Sequence, residues 1–389
     1  GLETGQYRIE GSVLTIEDGA ISRVTWVSAG AGGELEETVK NAFTLALGEG
    51  RAANVSLGYL NGTLTTSGDK VYQITNTGET KINLSGVYNS GATLPSGNLN
   101  YQGDIWMDIN GGAFGIIAGG VTNEWSTNLQ TSTLTGDTHV QLSGNATAEH
   151  VIGGNNKGAS TTLTGNTNVT VKDNAIVAGA IIGGSTSAHK AVTTITGNTS
   201  VLVTNVQYSN TAQNLDGGLS NSYIIGGSSW SSNTTSGTTI QGSTSATINL
   251  NGITLSGTEE HNSFVKTIIG GSYGNVNNAG TVNNINGDTS VSIIGREGIT
   301  FTGDIIGGSF ENSGQAQYTI GGNSSISISG GSTFTGNIYG GSYSKVPGNT
   351  GSTMTTAGNI TVELGTGTYR GNIYGAGNKG LSLIHISEP

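Results

Sequence analysis

Ile268-Ile269-Gly270-Gly271-Ser272 is one copy of a phrase that returns as Ile181-Ile182-Gly183-Gly184-Ser185, Ile224-Ile225-Gly226-Gly227-Ser228 and Ile305-Ile306-Gly307-Gly308-Ser309. Looser copies stand at 116–120 (IIAGG), 151–154 (VIGG), 338–342 (IYGGS) and 373–377 (IYGAG). Self-similarity at a long period is the mark of a stacked repeat, in which each unit buries its apolar face only against its neighbours. A second phrase alternates with the first: Leu163-Thr-Gly-Asn-Thr-Asn-Val-Thr-Val171, Ile195-Thr-Gly-Asn-Thr-Ser-Val-Leu-Val203 and relatives starting at Leu134, Ile240, Ile285, Ile320 and, degraded, Thr356. Their central glycines, Gly136, Gly165, Gly197, Gly242, Gly287, Gly322 and Gly358, are 29, 32, 45, 45, 35 and 36 residues apart. The order of the two phrases never changes while the spacing does, which fits one coil per period with loops of variable length.

Each coil reads as three short strands. Ser160-Thr161-Thr162-Leu163-Thr164 alternates, and Gly165-Asn166 makes a corner from residue types that tolerate left-handed backbone. Thr167-Asn168-Val169-Thr170-Val171 then places Val169 and Val171 on one face. The third strand carries the Ile pair and bends at Gly-Gly-Ser. The expected fold is all-β: a parallel β-helix solenoid of about seven to eight rungs, roughly 35 Å long at about 4.8 Å per rung. Val169, Val171, Val201, Val203, Ile293, Ile328 and at least one Ile of each pair should face its core.

Composition agrees with an ordered β protein. The chain of 389 residues has 67 glycines, 3 prolines, 10% charged and 33% hydrophobic residues. It is too rich in Thr, Ile and Val for disorder, and its glycines lack the collagen period. No apolar run is long enough for a membrane helix. Cysteine is absent and the net charge is −11; that sign disfavours nucleic acid, and Lys and Arg do not cluster. Three parts are expected: residues 1–100, a terminal cap or a separate β-rich module, with a helical pattern over 34–47 (Leu35, Val39, Phe43, Leu47); residues 101–380, the repeats; and residues 381–389. The last nine, LSLIHISEP, resemble a translated sequencing adapter, which makes the chain a fragment of a longer precursor and removes His385 from any site.

Chemistry-bearing motifs are sparse. Gly270-Gly-Ser272-Tyr-Gly274 matches a nucleophile elbow, but Ser272 has counterparts at Ser185, Ser228, Ser309 and Ser342. Asp137 and Asp288 stand where sister coils carry Asn166, Asn198 and Asn323, and Asp304 stands where others carry Asn337 and Asn372. Positions that accept Asn and Asp alike serve corner hydrogen bonds better than proton transfer. His139, His150, His189 and His261 lack metal spacing and read as exposed polar residues; no metal or cofactor is implied. Asp104 and Asp108 flank Trp106 on one strand face, where two carboxylates could work as acid and base or simply be solvated. Tyr273, Phe310 and Tyr343 each follow Gly-Gly-Ser, and Trp230 lies one residue later in its own coil. Stacked, these four would make an aromatic ladder, either for packing or as a platform for a ligand such as a sugar ring. The long excursions at 205–223 and 251–266 are the other candidates for recognition.

The paired phrases, with Gly336-Asn-Ile-Tyr-Gly-Gly-Ser342 and Gly371-Asn-Ile-Tyr-Gly-Ala-Gly377, resemble the passenger regions of bacterial autotransporters and related surface adhesins over roughly residues 110–380. That resemblance implies a secreted, right-handed β-helix displayed at the bacterial cell surface through a C-terminal outer-membrane barrel. It implies adhesion or a structural stalk, with a host or neighbouring-cell surface, glycan or matrix as partner, and carries no catalytic residues across. The reading is therefore of a non-enzyme. The principal alternative is a carbohydrate-active β-helix, a polysaccharide lyase or glycoside hydrolase, which would need Asp, Lys or Arg gathered on one face. Lys172, Lys190 and Lys266 instead fall at different points of their coils. A face for ice or crystal surfaces would need evenly spaced threonines, which the uneven period argues against.

Overall fold

The computed structural model describes residues 81–86, 99–121, 131–156, 160–187, 192–205, 223–230, 237–252, 263–275, 281–312, 316–345 and 353–377, with the backbone of short strands between 7 and 76. Apart from two antiparallel pairs near the start, Tyr7–Glu10 with Val13–Ile16 and Tyr59–Leu60 with Thr63–Leu64, these residues form a parallel β-helix. One coil shows the plan. Val282–Ile285 leads through a corner into Thr289–Ile294, followed by Thr300–Phe301, Ile305–Ile306 and Phe310–Glu311. The later coils thus hold five short strands, not three: the run read as one third strand is broken by corners, and another strand follows Gly-Gly-Ser.

Like strands stack in register from coil to coil. The first column runs through eight strands, from Leu99–Gln102 to Thr353–Thr356, which at about 4.8 Å per step is about 34 Å of rod. The second keeps equivalent residues opposite one another: Val169 with Val201, Val201 with Ala246, Ala246 with Val291, Val291 with Ile326. The register survives coil lengths that differ by many residues because the length is taken up between columns rather than inside them.

Alternation sets the core. Thr167–Lys172 places Thr167, Val169 and Val171 inward and Asn168, Thr170 and Lys172 outward, the period of two that a pleated strand imposes. Val169, Val171, Val201, Val203, Ile293 and Ile328 are all buried, as the pattern requires. Both residues of each Ile pair are buried, on opposite faces. Ile181, Ile224, Ile268 and Ile305 join the main core, whereas Ile182, Ile225, Ile269 and Ile306 join a second apolar layer with Tyr273 and Phe310. A strand apolar on both faces has to be covered on both, and the strand after Gly-Gly-Ser supplies the aromatic part of that cover.

The parallel stacking extends before residue 100. Phe43–Leu47 pairs with Lys70–Asn76, which pairs with Ile105–Ala118. The helix expected over 34–47 is therefore not formed at its C-terminal end. Phe43, Leu45 and Leu47 satisfy a strand period as well as Phe43 and Leu47 satisfy a helical one, and the adjacent strand decides between them. Residues 34–42 and 381–389 lie outside the described residues.

Candidate functional site

Hydrogen bonds at the corners account for most of the residues that carry chemistry. After the first column, each backbone N–H donates to the side-chain oxygen one coil earlier. Asp137 N–H bonds Asp104 Oδ1 (2.7 Å), Asn166 bonds Asp137 (2.7 Å), Asn198 bonds Asn166 (2.9 Å) and Ser243 bonds Asn198 (2.7 Å). The row continues with Asp288 on Ser243 Oγ (3.0 Å), Asn323 on Asp288 Oδ1 (2.6 Å) and Asn359 on Asn323 Oδ1 (2.9 Å). Asp, Asn and Ser interchange because the position asks only for an acceptor oxygen at the end of a short side chain. Asp304 does the same for Asn337 N–H (2.8 Å), and Asn337 for Asn372 (3.1 Å).

The serines of Gly-Gly-Ser form a second row of opposite polarity. Ser185 N–H donates to Ser228 Oγ, Ser228 to Ser272, Ser272 to Ser309 and Ser309 to Ser342, at 3.0–3.2 Å. Ser272 is one rung of this ladder, and it is buried with the others. Glycine is required beside it: a Cβ on Gly270 would stand 2.4 Å from the carbonyl oxygen of Gly307, and one on Gly271 would stand 2.6 Å from Ser309 Oγ. A third row pins five of the coils across their interior, and is interrupted at Thr289, whose buried hydroxyl has no hydrogen-bond partner. Thr138, Thr167, Thr199, Thr244 and Ser324 donate their hydroxyls to the carbonyls of Gly153, Gly183, Gly226, Gly270 and Gly340 at 2.5–2.6 Å.

The aromatic residues following Gly-Gly-Ser are in register, Tyr273 beside Phe310 and Phe310 beside Tyr343, with ring centroids 5.6 and 5.5 Å apart. Tyr273 and Phe310 are buried against Ile269 and Ile306, and Tyr343 packs on the same layer. Burial raises the Tyr273 hydroxyl pKa far above its ordinary value, with Tyr223 and Glu311 adding to the rise. Tyr273 and Phe310 are thus packed within the second apolar layer, while Tyr343 at the end of the row is only partly buried. Trp230 pairs through its backbone with Gly274, one position out of the aromatic row, so it is not a member of it.

A second ladder escaped the sequence reading. Phe264, Phe301 and Phe334 stack inside the core at 4.9 and 4.8 Å, and partly buried Tyr369 continues the row at 5.2 Å. Each lies four residues before its Ile pair or Ile-Tyr, a spacing shared by Val177 and Ile181, and that spacing was the available signal. Beside the aromatic layer, buried Glu311 accepts a 2.6 Å hydrogen bond from the Tyr318 hydroxyl. Burial, then the neighbouring Glu311 carboxylate, holds that hydroxyl well above its ordinary pKa.

The remaining candidates separate. His150 is buried rather than exposed, because its Nδ1 accepts the backbone N–H of Ala180 (3.0 Å) and a position inside the stack hides it. His139 is half-buried, and burial lowers its pKa against the opposing pull of Asp137 and Asp104. Its ring stacks on Trp106 at 3.6 Å and 9°. Asp108 Oδ1 accepts Gln141 Nε2 (2.9 Å). Lys172 points outward beside Asp173, with 3.8 Å between their charged atoms. Lys266 is instead buried, its Nζ bonded to the carbonyls of Ala178 and Gly179, and burial lowers its pKa to about 7. His189, His261, Lys190 and most of the 205–223 and 251–266 excursions lie outside the described residues. Among the described residues no group of three or more His, Asp or Glu comes together around a metal-sized space. No protein-family model, no curated protein and no solved structure matches this chain.

Proposed function

We propose that this chain is a secreted or surface-displayed β-helical passenger, serving in adhesion or as a structural stalk within a longer autotransporter-like protein. The observation that carries the reading is the commitment of its reactive side chains. Asp104, Asp137, Asp288, Asp304 and Ser272 are each used as acceptors for the backbone of an adjacent coil. A lyase or hydrolase needs an acid, a base and a charge stabiliser converging on one groove; here the carboxylates are spread along corner rows instead. A rod built this way presents long faces, which suits display and contact better than turnover. The partner would be a host or neighbouring-cell surface, glycan or matrix, and the membrane would be met only through a domain outside this chain.

The test is to coat the purified chain on beads and measure retention on cells, matrix proteins and glycans, with the same protein assayed against polysaccharides. Retention without turnover is expected. Turnover that disappears in Asp104→Asn/Asp108→Asn would replace this reading with the carbohydrate-active one.

A further inference from the structure

Two basic side chains are buried among the described residues, His150 and Lys266, and both close on one corner, Ala178-Gly179-Ala180. His150 stands between Ile116, its partner in register, and Ile152, on the same strand face; both isoleucines belong to the second apolar layer. Its Nδ1 accepts the backbone N–H of Ala180 at 3.0 Å. A backbone N–H only donates, so Nδ1 keeps its lone pair and the ring is neutral, with its hydrogen on Nε2. The ring edge lies tight against the same corner: a Cβ on Gly179 would stand 2.5 Å from His150 Cε1 and 2.7 Å from Nε2.

Lys266 reaches this corner from two coils further on. Its Nζ donates to the carbonyls of Ala178 (3.3 Å) and Gly179, passing over the coil of Ile224 and Ile225, whereas the corner and serine rows join adjacent coils. Three successive residues thus hold two bases, one as acceptor and one as donor. Other titratable groups surround the corner. Glu149, on the opposite strand face to His150, pairs with Lys81 at 2.7 Å; Lys172 and Asp173 stand 3.8 Å apart. Asp304, one coil beyond Thr267, accepts the N–H of Asn337, and Tyr223 shares the apolar layer with Ala180 and Ile116. Each of these charges already has its partner.

We propose that His150, Gly179 and Lys266 form an acid-released latch, which ties three coils together while the imidazole is neutral and lets go when it takes a proton. A protonated ring carries N–H on both nitrogens, so the Ala180 N–H would meet a donor where it now meets an acceptor. The new charge would stand in an apolar layer, and both burial and a like charge disfavour it there. Lys266 supplies that like charge: burial lowers its pKa to about 7, so it is an ammonium by the time a histidine titrates. The open corner frees His150 to titrate near the ordinary value of about 6.5. Above that pH closing costs no proton; below it closing must expel one, so the open fraction grows as pH falls, by up to about tenfold per pH unit. Lys266 is also the last residue of the 251–266 excursion, whose end the latch holds. The proposal goes beyond adhesion and is independent of how the chain reaches a surface.

The test is hydrogen exchange on the full chain from about pH 7 to about pH 5, a window that spans the histidine value, with rates corrected for the intrinsic effect of pH. Protection of Ala180 and its neighbours, and of the segment around Lys266, should fall with pH, while Thr289–Ile294, two coils along from Ile224 and without a histidine, should keep its own. His150→Gln supplies an acceptor oxygen that takes no proton and should abolish the pH slope; the slope, unlike the absolute protection, is not produced by a merely weakened fold. His139→Gln should leave the slope as it is. In the unaltered chain the Cε1–H resonance of His150 should titrate together with the loss of protection, which needs no variant. Protection that is equal at both ends of the window, a slope that survives His150→Gln or vanishes in His139→Gln, or a ring that takes its proton while the corner stays protected would each overturn the proposal.

Discussion

The coils spanning residues 99–156 and those spanning 281–345 obey one stacking rule with two perimeters. In the first group the second column and the Ile-pair column belong to unbroken strands, Ile105–Ala118 and Thr138–Ile152. The bend between them is made by a register shift after Ile109, with Gly112 (φ 92°) and Gly144 (φ 60°) taking left-handed backbone that other residues adopt at a cost. In the second group the same arc is cut into Thr289–Ile294, Thr300–Phe301 and Ile305–Ile306. From Ile109 to Ile117 is eight residues, while from Ile293 to Ile305, the equivalent pair, is twelve. A longer arc encloses more interior, and Phe301 and Phe334 stand in it in the later coils; the equivalent place in the earlier coils runs from Phe114 through Ala148 to Val177, so side-chain size there varies from coil to coil. Coil size is thus adjustable, provided that the corner ladders keep the register.

The sharpest way to break the comparison is to remove the filler. Phe301→Ala deletes a fully buried ring stacked between Phe264 and Phe334, and should destabilise by about 3–5 kcal/mol. Val177→Ala, also buried, should cost about 2 kcal/mol. Urea unfolding, with hydrogen exchange to localise the loss, measures both; contacts reach only neighbouring coils, so exchange should rise around the mutated rung first. Equal costs would mean that the later coils do not depend on their aromatic filling.

Lys266 lies in a coil between the two groups. Two residues after Phe264, it reaches back to the carbonyls of Ala178 and Gly179, directly after Val177. Its folded pKa is about 7 against an ordinary 10.5, so between those values the unfolded chain holds a proton that the folded chain has released. Stability should therefore rise with pH across that window, by up to about 1.4 kcal/mol per pH unit, and be insensitive to this group below about pH 7. Lys266→Met should flatten the rise, as read from unfolding midpoints at pH 7 and pH 9. An unchanged slope would show that the amine stays protonated in the folded rod.

How much of this was legible depends on whether a position constrains side-chain type or only backbone shape. The Val and Ile positions of the second column, such as Val169, Val201 and Ile293, were readable because their burial demands apolar residues at a strict period. So were the Asp/Asn corners, where interchange itself gave away the role. The bend after the second column was not readable. Gly144, Asp173, Asn174, Asn205, Gly298, Gly330 and Gly331 share left-handed backbone there, but no shared side chain marks them. The Phe264–Tyr369 ladder was hidden because Val177 holds the equivalent place in an earlier coil. For Tyr273 and Phe310 the row was visible but its side was not. The apolar pair Ile268-Ile269 held that information, since two adjacent buried isoleucines require cover on both faces of their strand. The Trp106–His139 stack joins residues 33 positions apart, His139 within a copy of the second phrase and Trp106 in a segment that keeps only its Gly-Asp (Gly103-Asp104), and the register brings them together.

The smallest effect tests what holds that register in coils of either size. Asp288 Oδ1 accepts the backbone N–H of Asn323 at 2.6 Å and its amide at 3.1 Å, on an exposed corner. Asp288→Ala removes the acceptor, and the expected loss is about 1 kcal/mol, the net worth of an ordinary hydrogen bond whose donor can turn to water. Asp288→Asn restores the oxygen without the charge and should be nearly neutral, as Asn166, Asn198 and Asn323 already fill the same place in other coils. The same pair of substitutions at Asp137, in the earlier group, should give the same order, because Asn166 N–H meets it with the same geometry (2.7 Å). If Asn proved as damaging as Ala at both sites, charge rather than the acceptor oxygen would hold the corner, and the interchange of Asp, Asn and Ser along the row would lose its explanation.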